Sequence, residues 1–210
     1  LPLRVVASLY VNTDEKLSGA VGELQALGEK YNHEFLNARV LKLSLDGTVE
    51  ARTAFMLEPW VGEDTNTTRS LISGEQTNGA MLEAAAKGID VHIHAIGDAA
   101  VHWGLDLVEQ ARKWHPESDS RYTICHIQVV TPEDVTRFGE LDVIAQSTPS
   151  WSVFDEWALE SMGQERFEQM YPLQSIAAGG AKLTFGSDYP ASWIGVDGLN
   201  PMFNIEMAMT

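Results

Sequence analysis

Four apolar runs in this sequence end on residues suited to metal ligation or proton transfer. These are Lys42 in LKLSLDG, His94 in VHIHAIGD, His126 in ICHIQ and Asp188 in LTFGSD. A neutral imidazole offers a nitrogen lone pair to a divalent ion. A carboxylate can ligate the same ion or take a proton from water that the ion has acidified. His94 precedes Ala-Ile-Gly-Asp, a tight turn into a helix, which holds an inward imidazole at a strand end. His92 shares its face, because side chains at i and i+2 of a strand point the same way. It lies deeper and reads as a supporting or packing group more than as a ligand. Taken singly, each histidine has a plain alternative as a hydrogen-bonded core residue, and Asp188 as a cap of the Tyr189-Pro190 segment. Four such residues on four separate strands are hard to explain as packing.

Lys42 is a lone lysine inside an apolar strand. A buried ammonium is costly unless paired or modified. A carbamate formed with CO2 would make it a carboxylate able to bridge two ions; an ion pair with Asp46, or a strand end that reaches solvent, are the alternatives. Strand alternation predicts that Cys125 and Ile127 point away from the face of His126 and pack against helices. Cys125 then reads as a small buried hydrophobe with no base oriented to activate it. His102 and His115 read as surface or helix-packing groups. Trp151 and Trp157 follow the fifth apolar run and either line a substrate pocket or cover the rim.

Such residues need a scaffold that gathers strand ends. β-branched and apolar runs predict strands over 3–11, 38–45, 90–96, 121–130, 141–147 and 181–188. Apolar residues at helical spacing predict helices over 17–31, 77–87, 98 to about 113, one opening at 132, and helical pieces around 164–178. Gly88 closes the second of these, Asp98 caps the third, and Thr131 with Pro132 opens the fourth. Asp46-Gly47 is a turn signal, with 46–60 a hairpin or an irregular excursion and 61–74 an exposed loop. Strands buried on both faces and separated by helices predict a parallel α/β architecture over 1–210, either a doubly wound sheet or a (β/α)8 barrel. In a barrel the C-terminal strand ends converge on one face.

Composition bounds the function class. A hydrophobic share of 44% supports a packed core, and the net charge of −16 comes without a Lys/Arg cluster. Nucleic acid and anionic membranes are therefore unexpected partners, since both require positive charge. With Cys125 as the sole cysteine there is no internal disulfide framework and no cysteine-based zinc site, which fits a cytoplasmic protein. No apolar run approaches the roughly 20 residues of a membrane span. The start, Leu-Pro-Leu-Arg, reads as the middle of a longer protein, and the last residues read as a helix stopped without a cap.

The motifs together resemble the amidohydrolase superfamily, and more closely its YtcJ-like, amidohydrolase-3 branch, which includes N-substituted formamide deformylases. The resemblance rests on LKLSLDGTVEARTA (41–54), VHIHAIGDAAV (91–101), ICHIQVVTPEDVTRF (124–138), VIAQSTPSW (143–151) and LTFGSDYP (183–190), in the family's order. It implies a distorted TIM barrel holding one or two divalent ions, usually zinc. His94 and His126 match the metal histidines of the fifth and sixth barrel strands, Asp188 the aspartate of the eighth, and Lys42 the fourth-strand lysine, which is carboxylated in two-metal members. The family's first-strand His-x-His has no counterpart here, so the resemblance implies a fragment of strands three to eight, expected to be inactive on its own. Open sheet edges at LRVVASLYV and AKLTFGS would invite self-association. The expected activity of the parent is hydrolysis of a C–N bond in an amide-type small molecule, with Asp188 and His126 catalytic. The rivals are an inactive fragment or relative that at most binds metal or partners, and a hydrolase of lactones or phosphoesters on the same barrel.

Overall fold

The computed structural model describes residues 3–152, 155–191, 195 and 197–209. Its strands are β1 (Val5–Val11), β2 (Leu36–Ser44), β3 (Asp90–Ala95), β4 (Tyr122–His126), β5 (Ile144–Ser147) and β6 (Lys182–Phe185). They form one parallel sheet in the order β1-β2-β3-β4-β5-β6. Helices α1 (Asp14–Leu17) and α2 (Ala20–Tyr31) join β1 to β2, and α3 (Gly74–Ala86) leads into β3. Helix α4 (Asp98–Trp114) joins β3 to β4, and α5 (Pro132–Val135) and α6 (Arg137–Glu140) join β4 to β5. The last connection runs through α7 (Glu156–Met162), α8 (Gln164–Glu168) and α9 (Leu173–Ala178), and α10 (Pro201–Met209) follows β6. Sequential order with a helix in each crossover is the β/α-barrel plan. Among the described residues β1 pairs with β2 and β6 with β5, so six adjacent strands of a TIM-type barrel are present.

Strand alternation sorts the residues onto two faces. Leu41, Leu43, Val91, Ile93, Ala95, Ile124 and Ala145 face the helices and form one core with Val21 and Leu24 of α2, Met81 and Ala84 of α3, and Leu105 and Val108 of α4. The intervening residues, Lys42, Ser44, His92 and His94, face the barrel interior. Parallel register sets Lys42 opposite His92 and Ser44 opposite His94. It sets His94 opposite Cys125, and Cys125 opposite Gln146.

Several boundaries differ from those expected. β4 stops at His126 instead of running to 130, because His126 and Ile127 adopt φ of 74° and 45°. The helix expected over 17–31 is split by Ser18 and Gly19, whereas the helical pieces expected around 164–178 are present as α8 and α9. Gly97, not Asp98, is the N-cap of α4; Asp98 is the first helical residue and its carboxylate accepts from the amides of Leu57 and Ala99. Gly88 does close α3, with φ of 63° in the left-handed region that glycine tolerates best. Thr131 and Pro132 open α5 as expected.

Residues 46–73 are irregular but not all exposed. Val49, Ala54, Met56 and Trp60 are buried and pack with Ile96, Val129, Ala158 and Met162 into a second core above the strand ends. This satellite core ties the excursion after β2 to α7 and walls the site described next.

Candidate active site

The C-terminal ends of β3 and β4 bring two imidazoles together. The ring centroids of His94 and His126 are 4.3 Å apart. Simple alternation would send His126 toward the helices. The left-handed backbone at His126 and Ile127 breaks that alternation and brings the imidazole to the inner side. A β-branched residue at positive φ is a costly conformation, on the order of 1–3 kcal/mol, and such strain persists where surrounding structure enforces it. The segment is pinned by Ile127 N–H donating to Ala95 O at 3.0 Å and Val129 N–H to Ile96 O at 2.9 Å. Trp151 stacks on the far side of His126, with centroids 5.5 Å apart and planes at 11°.

The orientation expected of Cys125 is wrong. It lies on the interior face in register with His94, and Lys42 Nζ donates to its Sγ at 2.8 Å. Register explains this: β4 residues pair with β3 residues of the same face, so the partner of His94 must face inward. The ion pair considered between Lys42 and Asp46 does not form. Burial pushes the Cys125 thiol up, Lys42 opposes this, and the charges of Asp188 and Asp46 add to the upward push. Asp188 itself follows β6, is exposed and has φ of 50°.

Electrostatics keep the imidazoles neutral. Burial lowers His92 and His94 to about 4, and lowers His126 well below the ordinary histidine range. The Lys42 charge pushes all three the same way. His94 Nε2 lies 3.1 Å from Gly47 O, a carbonyl that can only accept. A neutral ring must therefore carry its proton on Nε2, which leaves the Nδ1 lone pair free.

Asp46 reads in the sequence as part of a turn and as a candidate ion-pair partner of Lys42, not as the buried acceptor it is. Its carboxylate is 1% exposed and accepts from the amides of Phe55 at 3.0 Å, Ile96 at 3.0 Å and Gly97 at 2.8 Å. Oδ1 also stands 3.5 Å from His94 Nε2. Burial raises its pKa to about 7 against the lowering effect of those hydrogen bonds. An acidic residue closing an apolar strand was the available signal, the same one that marked the other strand ends. Gly97 shows why the knot is tight: a Cβ there would overlap the Phe55 carbonyl. His102 lies on the helical side of β3, with Nδ1 at 3.0 Å from the Asp134 carboxylate, and takes no part in this cluster.

Donor chemistry fits a divalent ion in kind: two neutral imidazoles side by side, with a carboxylate and a lysine around the same interior. It falls short in number. Among the described residues no group of three or more His, Cys, Asp or Glu side chains is placed to hold an ion. Beside the imidazoles opens a cavity of about 550 Å³ lined by Ile96, Gln128, Trp151 and Trp157 among others. Both tryptophans thus line a pocket, one of the two roles considered for them.

The amidohydrolase family model matches residues 1–210. The chain belongs to the amidohydrolase family. The chain is 30% identical over 178 residues to Protein LONG AFTER FAR-RED 3 of Arabidopsis thaliana, covering 84% of this chain and 30% of that protein. It is 26% identical over 184 residues to YtcJ of Bacillus subtilis (strain 168), an amidohydrolase by name, covering 86% of this chain and 33% of YtcJ. The crystal structure of an uncharacterized metal-dependent hydrolase from Pyrococcus furiosus superposes with a TM-score of 0.74 at 27% identity, over 99% of this chain and 44% of that one. The chain thus spans about a third of the length of these curated relatives. No helix among its described residues is long and apolar enough to cross a membrane.

The buried ionisable groups of this chain predict how metal-free stability follows pH. His92, His94 and His126 have folded pKa values below the ordinary 6.5, so the unfolded chain binds their protons more tightly. That stability is complete above about 6.5 and is lost as pH falls toward 4. Asp46 and Asp98 are raised and act in the opposite sense, gaining stability on acidification. Three histidines against two carboxylates leave net proton uptake on unfolding. Each net proton is worth about 1.4 kcal/mol per pH unit. Urea midpoints in chelator should therefore fall between pH 6.5 and 4.5, and His92→Gln should flatten the slope. A midpoint that rises over this window contradicts the neutral imidazoles.

Proposed function

We propose that this chain carries part of the active site of a hydrolase that cleaves the C–N bond of an amide or N-acyl group, using water activated by a divalent metal. The observation that carries the reading is the pair of neutral imidazoles, His94 and His126, 4.3 Å apart at neighbouring strand ends. They would hold the ion with Asp188, and with Lys42 where it is present as a carbamate. A divalent ion, proposed as zinc, supplies Lewis acidity that polarises a carbonyl and brings the pKa of water to about 7. Asp188 accepts the proton lost by the attacking water and delivers it to the leaving nitrogen as the C–N bond breaks. His126, or a neighbouring group, stabilises the charge that develops on the carbonyl oxygen. The small-molecule substrate enters by the cavity beside Trp151. A cytoplasmic location is proposed with this chemistry, to which the unpaired thiol of Cys125 is suited.

A second reading is an inactive relative or piece that at most binds metal or partners. It is favoured by donor number, since no trio of ligating side chains is placed to hold an ion among the described residues. Turnover separates the two. The full-length protein, assayed for amine release from a panel of N-acyl amides, should lose activity in chelator and regain it with added zinc. Lactone or phosphoester hydrolysis without amide cleavage would overturn the C–N assignment, and no turnover by metal-loaded protein would favour the inactive reading.

A further inference from the structure

We propose that the cavity beside His126 selects substrates bearing a positively charged group, such as an ammonium, quaternary ammonium or guanidinium, remote from the bond that is cleaved. The inference rests on the reading of this site as a hydrolase centre and names its substrate class. The cavity, at about 550 Å³, is within the size range of small-molecule sites. Trp151, Trp157 and Tyr171 give it aromatic walls, and Glu50, Asp155 and Glu156 give it carboxylates. No Lys, Arg or His lines it among the described residues.

Among the described residues no Lys or Arg forms an ion pair with Glu50, Asp155 or Glu156. Arg52 pairs with Glu63 at 3.7 Å instead of Glu50. Arg166 directs its guanidinium to the carbonyls of Met162, Glu58 and Pro59. Asp155 caps α7 through the amides of Trp157 and Ala158, contacts that place no cationic side chain beside it. Burial holds the Tyr171 phenol above its ordinary range, and Glu50 and Asp155 push it the same way, so both carboxylates act on this wall. An aromatic face attracts a cation through its quadrupole, and carboxylates around a cleft of low dielectric focus the field. Trp151 joins this region to the reacting end, because the same ring stacks on His126. Trp157, 71% exposed, stands where a charged tail can remain partly hydrated.

Three probes of similar ring size test the proposal by isothermal titration calorimetry on the protein at low salt: benzyltrimethylammonium, neutral benzyl alcohol and anionic benzoate. The cation should bind roughly tenfold more tightly than the alcohol, and benzoate more weakly than either. In the double variant Glu50→Gln/Glu156→Gln the preference should shrink to roughly twofold, with benzyl alcohol affinity unchanged as the check that the pocket still folds. Equal affinity for cation and alcohol, benzoate bound as tightly as the cation, or a full preference that survives the double variant would each overturn it. Binding is read without turnover, so the two readings fail separately. Amide cleavage without cation preference would sink this inference alone, and cation preference without amide cleavage would sink the proposed function alone.

Discussion

Asp188→Asn in the full-length protein is expected to lower kcat on an amide by about 10²–10⁴-fold. The proposed role needs a carboxylate that takes a proton from water and gives it to the leaving nitrogen, and a carboxamide cannot do the first of these. The fold should survive. Asp188 is exposed, and its φ of 50° is a conformation that asparagine also adopts more readily than most residues. Circular dichroism and the urea midpoint should match the unaltered protein, so that lost turnover reports chemistry. A variant with undiminished kcat would remove Asp188 from the proton path.

The largest effect on stability is expected at Asp46. Its carboxylate is the acceptor for three backbone amides, those of Phe55, Ile96 and Gly97, and it is fully enclosed. Asp46→Ala leaves those donors buried without a partner. Each unsatisfied donor costs roughly 1–3 kcal/mol. Together they approach the roughly 5–15 kcal/mol by which a whole domain is stable. Asp46→Asn keeps an oxygen that can accept, and should recover much of the loss. Urea unfolding of the two variants checks this; an Asp46→Ala midpoint close to that of the unaltered protein would show that the three amides find other acceptors.

The strands were legible because buried parallel strands have an unmistakable composition. Leu41, Leu43, Val91 and Ile93 pack against helices where the apolar runs said they should. The chemistry-bearing positions were legible for a related reason: a polar residue in such a run is costly unless it has work to do or a partner. Local backbone conformation was not legible. The positive φ at His126 and Ile127 follows from neighbours far away in sequence, and it is what made the alternation argument fail for Cys125. Asp46 reads in the sequence as a turn residue or a partner for Lys42, because only the fold brings Phe55 and Gly97 to its carboxylate. The same is true of Met56 and Trp60, whose stretch lacks periodicity and is buried by α7 and the end of β3.

The central claim is that His94 and His126 form the imidazole part of a metal centre. It is tested most directly by titrating zinc into ¹⁵N-labelled protein while the imidazole nitrogens are followed by NMR. Both rings should begin neutral at pH 7, with the His94 proton on Nε2. Zinc should then shift His94 Nδ1 and one nitrogen of His126 together, and leave His33, His102 and His115 unaffected at one equivalent. If zinc binds while His94 and His126 keep their metal-free resonances, the metal centre is elsewhere and the account of this site is wrong.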